Sequence, residues 1–129
     1  MMLTESKGYE SIYEKIEGTE HPAFFVCARN NKQKQFTIYG QCIGFDLTYN
    51  LFKRFNIGER IVRYGLGIFT GISNTNSVVI LGFCVMSSEQ KEDFEKVFRG
   101  FFTLMGSQPQ TIVTDEQAAI EAALESLKR

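Results

Sequence analysis

Gln41-Cys42-Ile43-Gly44-Phe45-Asp46-Leu47-Thr48-Tyr49-Asn50 is the stretch that decides the fold. Its residues are mostly apolar and typical of a β-strand, but one acid, Asp46, lies in the middle. A carboxylate in a strand that should be buried is costly unless something compensates its charge, and a bound metal ion is one such compensation. A second apolar stretch, Gln110-Thr111-Ile112-Val113-Thr114-Asp115, also ends in an acid. Two strands that each carry one Asp are the most informative feature of the sequence.

The composition is that of one ordinary globular domain. The chain has 129 residues, 43% of them hydrophobic and 22% charged, which is enough for one core but not two. No run approaches the length of a membrane span, and the first residues do not form a signal peptide. The three cysteines are few, far apart and in apolar runs, so we expect buried free thiols in a reducing, intracellular compartment.

The charge is unevenly distributed although the net charge is only −1. Residues 29–63 contain two acids, Asp46 and Glu59, against seven basic residues: Arg29, Lys32, Lys34, Lys53, Arg54, Arg60 and Arg63. Such asymmetry can mark a surface for a polyanion, but composition alone favours a solvated loop. The run Phe52-Lys53-Arg54-Phe55 could bind nucleic acid by stacking and phosphate contact, or it could be a loop held by its Phe side chains.

The N-terminal residues predict an extension of the domain over residues 1–40. An amphipathic helix over residues 9–17 is predicted by the helical spacing of four apolar residues: Tyr9, Ile12, Tyr13 and Ile16. A strand over 23–29, a polar turn over 30–34 and a strand over 36–39 form a predicted hairpin. Gly40 then bends the chain into the strand that carries Asp46.

Three strands with short connections follow, over 41–50, 61–73 and 77–86, and these predict an antiparallel meander. The residues between the first two are expected to form a loop. The third strand is almost continuously apolar, which favours burial on both of its faces.

A helix over residues 88–105 is predicted next, with Ser87 and Gln90 in capping-box spacing and Gly106 as its end. Its apolar stripe faces the core: Phe94, Val97, Phe98, Phe101, Phe102 and Met105. A strand over 110–115 and a helix over 116–128 complete the order β-β-β-α-β-α. Because the first helix is a crossover, the fourth strand can lie parallel to another strand, with Asp115 at its carboxyl end.

Three stretches in the right order carry a resemblance to a known family. They are Phe45-Asp46-Leu47-Thr48-Tyr49, the helix start from Met86-Ser87-Ser88-Glu89 to Phe94-Glu95-Lys96-Val97-Phe98, and the run from Met105-Gly106 through Thr114-Asp115 to Ile120. His21-Pro22-Ala23-Phe24-Phe25 adds a fourth similarity upstream. Residues 41–127 thus resemble the transposase domain of Mutator-like elements (MULE), which is related to the plant far-red-response transcription factors.

The resemblance implies a ribonuclease H-like α/β fold in which the first and fourth strands lie side by side. It implies that Asp46 and Asp115 match the first two acids of a catalytic Asp-Asp-Glu (DDE) set. Such carboxylates would bind Mg²⁺ or Mn²⁺ and act on DNA at transposon ends, in the nucleus of a eukaryote. Thr48 and Thr114 would support them by hydrogen bonds. The alternative for Asp115 is the N-cap of the following helix, a role that Asp fills well.

The chain also departs from the family pattern. In the family the third acid is a Glu on a helix after a further strand, whereas Glu121 and Glu125 lie on the helix directly after Asp115. We therefore expect residues 41–129 to be a partial transposase domain, truncated before the third acid and inactive alone. The alternative is a domesticated, non-catalytic module that binds DNA or a protein in transcription regulation. Strand 110–115 should then be an open sheet edge through which a homodimer could form.

Overall fold

The computed structural model describes residues 2–6, 8–29, 42–48, 51–72, 75–114 and 118–127, with only the backbone described for residues 2–6 and 118. The elements are β1 (Met2–Ser6), β2 (Tyr9–Lys15), β3 (Pro22–Arg29), β4 (Cys42–Thr48), β5 (Phe55–Ile57), β6 (Arg60–Val62), β7 (Gly65–Ile72), β8 (Val78–Met86), α1 (Lys91–Met105), β9 (Thr111–Thr114) and α2 (Ala118–Leu127). The predicted mixed α/β class is confirmed.

Seven of these strands form one sheet in the order β1-β2-β3-β8-β7-β4-β9, and β5 and β6 form a separate pair. The neighbours in the large sheet are antiparallel except for β4 and β9, which are parallel. The meander β4-β7-β8 and the crossover through α1 to β9 therefore agree with the sequence prediction. The first three strands extend the same sheet beyond β8.

The predicted helix over residues 9–17 is wrong, because Tyr9–Lys15 is strand β2. Ile12 is buried against the core, while Tyr13 pairs with Phe25 of β3 on the other face. Three of the four apolar residues that fit a helical spacing are thus divided between the two faces of β2, and Ile16 follows its end. Tyr and Ile are both common in strands, so the residue types did not distinguish the two structures. β1, which the sequence did not predict, pairs with β2 around a turn at Gly8, whose φ of 83° suits glycine.

Two further predictions differ from the structure or lie outside it. The long strand over 61–73 is interrupted: β6 ends at Val62, and β7 begins only at Gly65. β6 pairs with β5 in a hairpin, in the region predicted as loop. The predicted turn over 30–34, the strand over 36–39 and the bend at Gly40 lie outside the described residues.

The core lies between one face of the sheet and the two helices. The aromatic stripe of α1 is buried as predicted, and Phe101 stacks on Phe69 of β7 with ring centroids 3.8 Å apart. Phe98 packs edge-on against Phe45 of β4 at 5.0 Å. Ile120 and Ala123 of α2 join the same cluster. Both helices therefore cover the face of the sheet to which Phe45 and Phe69 point.

The N-terminal cap of α1 was predicted to pair Ser87 with Gln90, but in the structure Gln90 pairs with Asp93. Gln90 is the N-cap, and its reciprocal partner is Asp93, whose carboxylate accepts a hydrogen bond from the Gln90 N–H at 3.0 Å. Ser87 is not part of this box, because its hydroxyl donates to the Ala23 carbonyl at 2.9 Å. The C-terminal prediction is confirmed, since Gly106 adopts φ 85° and its N–H bonds to Phe102.

The face of the sheet opposite the helices carries exposed apolar side chains. Val78 and Ile80 of β8 are 71% and 57% exposed, so the prediction that this strand is buried on both faces is wrong for its first residues. Ile72, paired with Val78, and Val113 of β9 are exposed as well. The prediction failed because an apolar run shows that a strand can be buried, but not how many layers cover it.

Candidate functional site

Asp46 lies on β4, the strand that holds the antiparallel and parallel parts of the sheet together. Ile43 and Phe45 point into the core, and Asp46 points to the opposite face, where it is exposed. Its partner across the antiparallel ladder is Ile68 of β7. The sequence argument that Asp46 is a buried carboxylate is therefore wrong, because alternation along the strand places it on the uncovered face. An exposed carboxylate is accessible to a ligand without a desolvation cost.

β9 lies directly beside the strand that carries Asp46. The parallel register runs from Cys42 opposite Thr111 to Phe45 opposite Thr114. Asp115, the other candidate acid, lies outside the described residues, as does the alternative that it caps α2. Thr48 is exposed on the same face as Asp46, whereas Thr114 pairs with Phe45, which points towards the helices.

The carboxyl ends of β4, β8 and β9 reach the same edge of the sheet, because these three strands run in the same direction. A cleft of about 450 Å³ opens at this edge, lined by Leu47, Arg63, Met86 and residues 87–90. Residues 87–90 lead into the first turn of α1, whose N-terminus contributes a partial positive charge. The edge thus combines an arginine, serine hydroxyls, the Glu89 carboxylate and a helix N-terminus whose first turn is acidic.

The β5–β6 hairpin lies at this edge, between the end of β4 and the start of β7. Its turn consists of Gly58 and Glu59, and Ile57 pairs with Arg60. Gly58 has φ 61°, as the first central residue of a type II′ turn requires. The sequence analysis missed this hairpin, although a Gly-X pair between two β-prone triplets was a usable signal. Arg63 and the cleft residues after Met86 were not predicted as site residues, although Met86-Ser87-Ser88-Glu89 belongs to one of the stretches that carry the family resemblance.

The hairpin is attached to the start of β3 by an aromatic cluster. The Tyr64 hydroxyl donates to the Pro22 carbonyl at 2.8 Å. The Tyr64 ring lies 5.6 Å from that of Phe55 and 6.4 Å from that of Phe52, and His21 contacts Phe55 at 5.0 Å. Burial raises the pKa of Tyr64, so its hydroxyl stays protonated and able to donate.

The cysteines are free thiols in three different environments. Cys84 is buried, Cys27 is half-buried and Cys42 is exposed, so the expectation of burial is correct for Cys84 and wrong for Cys42. Burial raises the pKa of Cys84 to about 12 and also raises that of Cys27. Within the part of the chain that the structure describes, no three His, Cys, Asp or Glu side chains come together as a metal cluster. The described helices include none that is long and apolar enough to cross a membrane.

A comparison with protein-family models matches residues 42–127 to the MULE transposase domain. A comparison with curated proteins gave no match, and neither did one with solved structures. The matched segment begins at the first residue of β4, ends at the last residue of α2 and covers 86 of the 129 residues. It contains the three motifs that carry the sequence resemblance. The chain therefore belongs to the MULE transposase domain family.

Proposed function

We propose that this domain supplies Asp46 and Asp115 to a two-carboxylate site that binds Mg²⁺ or Mn²⁺ and serves phosphodiester cleavage and strand transfer in DNA. Membership of the MULE transposase domain family supports a transposase-related function. The observation that carries the proposal is the register of β4 and β9: Phe45 pairs with Thr114, and these two residues immediately precede Asp46 and Asp115 in sequence. Asp46 itself is exposed on the uncovered face of the sheet.

The same proposal assigns the chain to the ribonuclease H-like fold. Three features support this assignment: the antiparallel meander β4-β7-β8, the crossover through α1, and the parallel position of β9 beside β4. A crossover of this kind is right-handed in nearly all proteins and brings the carboxyl ends of the parallel strands together. That arrangement suits a site built from the strand ends.

The residues fit a hard divalent cation. Two carboxylates a few ångströms apart repel each other, and a cation relieves this repulsion. Carboxylate oxygens are the ligands that Mg²⁺ and Mn²⁺ prefer, whereas the neutral, buried thiol of Cys84 is unsuited to them. When bound, the cation would polarise a scissile phosphate and lower the pKa of a coordinated water.

The chain's own residues would position the site. Asp46 is fixed by β4, which has a strand neighbour on each side. Thr48, exposed on the same face two residues further along, can donate a hydrogen bond to a carboxylate oxygen and orient it. Arg63, which lines the cleft at the same edge, would contact an oxygen of a DNA phosphate.

The test is calorimetric titration of Mn²⁺ into the chain and into three variants, Asp46→Asn, Asp115→Asn and Glu121→Gln. We expect each Asn variant to lose most of the binding, since each removes one of two charged ligands. Glu121→Gln removes an exposed acid from α2 and should bind as the parent does. Equal binding by all four proteins would overturn the proposal.

A nuclease assay on labelled duplex DNA tests whether the chain cleaves DNA, separately from whether it binds metal. The two acids alone should hold metal weakly, so we expect no cleavage from these 129 residues. Cleavage that disappears in both Asn variants would show a competent site. DNA binding that is unchanged in all variants, without any metal binding, would instead support the non-catalytic DNA-binding module.

A further inference from the structure

We infer that the hairpin segment, residues 51–64, which comprises the β5–β6 hairpin with the residues that lead into and out of it, is a phosphate-binding surface that holds the backbone of duplex DNA beside the carboxyl ends of β4 and β9. This inference deepens the proposed function and rests on it, because it takes DNA as the substrate. The inference concerns the cations of the hairpin segment, whereas the proposed function concerns the acids of the site. It can therefore fail independently.

The first support is charge. Residues 51–64 carry four basic side chains and one acidic side chain, a net charge of +3 in a molecule whose net charge is −1. Lys53, Arg54 and Arg60 are exposed, and none of them forms an ion pair with another described residue. Cations that are neither buried nor neutralised by nearby acids remain available to a polyanion. Composition alone favoured a solvated loop in this region, because it does not show the hairpin on which these cations lie.

The second support is rigidity. Lys53 and Arg54 lie between Phe52 and Phe55, and both of these rings contact the ring of Tyr64. The Tyr64 hydroxyl is hydrogen-bonded to the backbone of β3 at Pro22. Cations on an anchored segment lose less conformational freedom on binding than cations on a free loop, so more of their attraction contributes to affinity.

The third support is position. The segment that leads into the hairpin begins at Leu51, close in sequence to the end of β4 at Thr48. At its other end Arg63 lines the cleft together with Leu47, the residue next to Asp46. A backbone that contacts Lys53, Arg54 and Arg60 would therefore run along the edge where the candidate acid lies.

Duplex DNA fits these features better than an acidic protein does. A DNA duplex carries one negative charge for about every 1.7 Å of its axis, so closely grouped cations can each find a phosphate. Such contacts position the backbone without reading its sequence. An acidic protein surface is the competing occupant, and it is an outcome of the test below.

The test is the fluorescence anisotropy of a labelled 20-base-pair duplex, titrated with the full chain in EDTA at several salt concentrations. EDTA removes any contribution from metal at Asp46. The slope of log affinity against log salt is negative, and each lost phosphate contact makes it less steep by about 0.9. We expect Lys53→Gln/Arg54→Gln to make the slope less steep by about 1.8 and to weaken binding more than about tenfold at 0.1 M salt, alike for unrelated duplex sequences.

The matched control is Arg29→Gln/Arg99→Gln, which removes the same charge from two exposed residues away from the hairpin. Arg29 is the last residue of β3, which runs antiparallel to β8, so it lies at the end of the sheet opposite the carboxyl ends of β4 and β9; Arg99 lies on α1. We expect this control to keep the parent slope within about 0.5. Equal losses in the two double variants, or no salt-dependent binding by the parent, would overturn the inference. So would binding of an acidic polypeptide, such as polyglutamate, as tight as that of the duplex.

The two proposals fail in different ways. Loss of Mn²⁺ binding in Asp46→Asn with no effect of the hairpin variant on DNA would overturn only the hairpin inference. A hairpin effect without any Mn²⁺ binding would overturn only the metal site.

Discussion

Asp46 and Cys84 show how the side of the sheet determines the chemistry of a residue. Both lie on central strands, and both are flanked by apolar neighbours in sequence. Asp46 points to the uncovered face, where its charge is solvated, whereas Cys84 is fully buried on the covered face. There the Cys84 sulfur lies so close to Gly67 that a Cβ on that glycine would lie 2.6 Å from it. Sequence alone treated both positions as buried, because alternation alone does not show which face is covered.

The buried Cys84 should make stability fall at high pH. Burial raises its pKa to about 12 in the folded chain, against 9.0 ordinarily. Below pH 9 the thiol is neutral in both states. Above pH 9 the unfolded chain loses the proton first, so stability is progressively lost as the pH rises towards 12. In urea denaturation under reducing conditions, the stability difference between the parent and Cys84→Ala should be about 1 kcal/mol smaller at pH 10 than at pH 7.5.

The exposed thiol provides the comparison for this pH dependence. Cys42→Ala, which removes the exposed thiol, is the matched control for the loss of one cysteine from the chain. A constant difference between the parent and Cys84→Ala across the range would refute the proposed role of Cys84.

At the scale of elements, the sequence predicted the structure best where a pattern was compatible with only one kind of element. The stripe of α1 and its stop at Gly106 could form only a helix against a core, and they do. The spacing of residues 9–16 was compatible with a helix or a strand. The segment is a strand because it pairs with β1 on one side and β3 on the other. The break between β6 and β7 falls at Arg63 and Tyr64, and Tyr64 donates to Pro22, 42 residues away in sequence, a contact that no local pattern predicts.

The Tyr64 contact should control how firmly the hairpin is attached. Tyr64→Phe removes the hydroxyl that donates to Pro22 and leaves the ring contacts in place. We expect a loss of about 0.5–1.5 kcal/mol in the free energy of unfolding. We also expect faster hydrogen exchange of the β5–β6 amides than in the parent, since this local unit loses a tether.

Tyr13→Phe is the suitable control, since its half-buried hydroxyl makes no hydrogen bond that the described structure contains. It should change stability by less than about 0.5 kcal/mol and leave hairpin exchange unaltered. Equal exchange rates in the parent and Tyr64→Phe would show that the aromatic contacts alone hold the hairpin.

At the scale of the molecule, the sheet has one covered face and one uncovered face. Among the described residues, β9 pairs only with β4 and so forms one edge of the sheet. Val113, at this edge, is 61% exposed. An open edge can pair with an equivalent strand of another chain, which motivates the proposal of a homodimer through β9. The partner acid of the candidate site, Asp115, follows directly in sequence, so self-association and the site are neighbours along the chain.

Edge pairing can be tested with one charge. Val113→Lys places a cation on the exposed edge strand, a substitution that natural sheets use to prevent association. Sedimentation equilibrium should show the mass of the parent rising with protein concentration and that of the variant remaining nearer to the monomer. Because the position is exposed, stability should change by less than about 0.5 kcal/mol. A monomeric parent at all concentrations would rule out the homodimer.

The parallel pairing of β4 with β9 has a consequence for how the chain is made. Thr111 follows Cys42 by 69 residues, yet the two are partners in the ladder. A ribosome adds about 5–20 residues per second, so β9 is synthesised roughly 3–14 s after β4. During that interval β4 can already pair with β7, but the hydrogen-bonding groups on its other side have no β9 to pair with. The nascent chain therefore exposes one side of β4 before β9 has been synthesised.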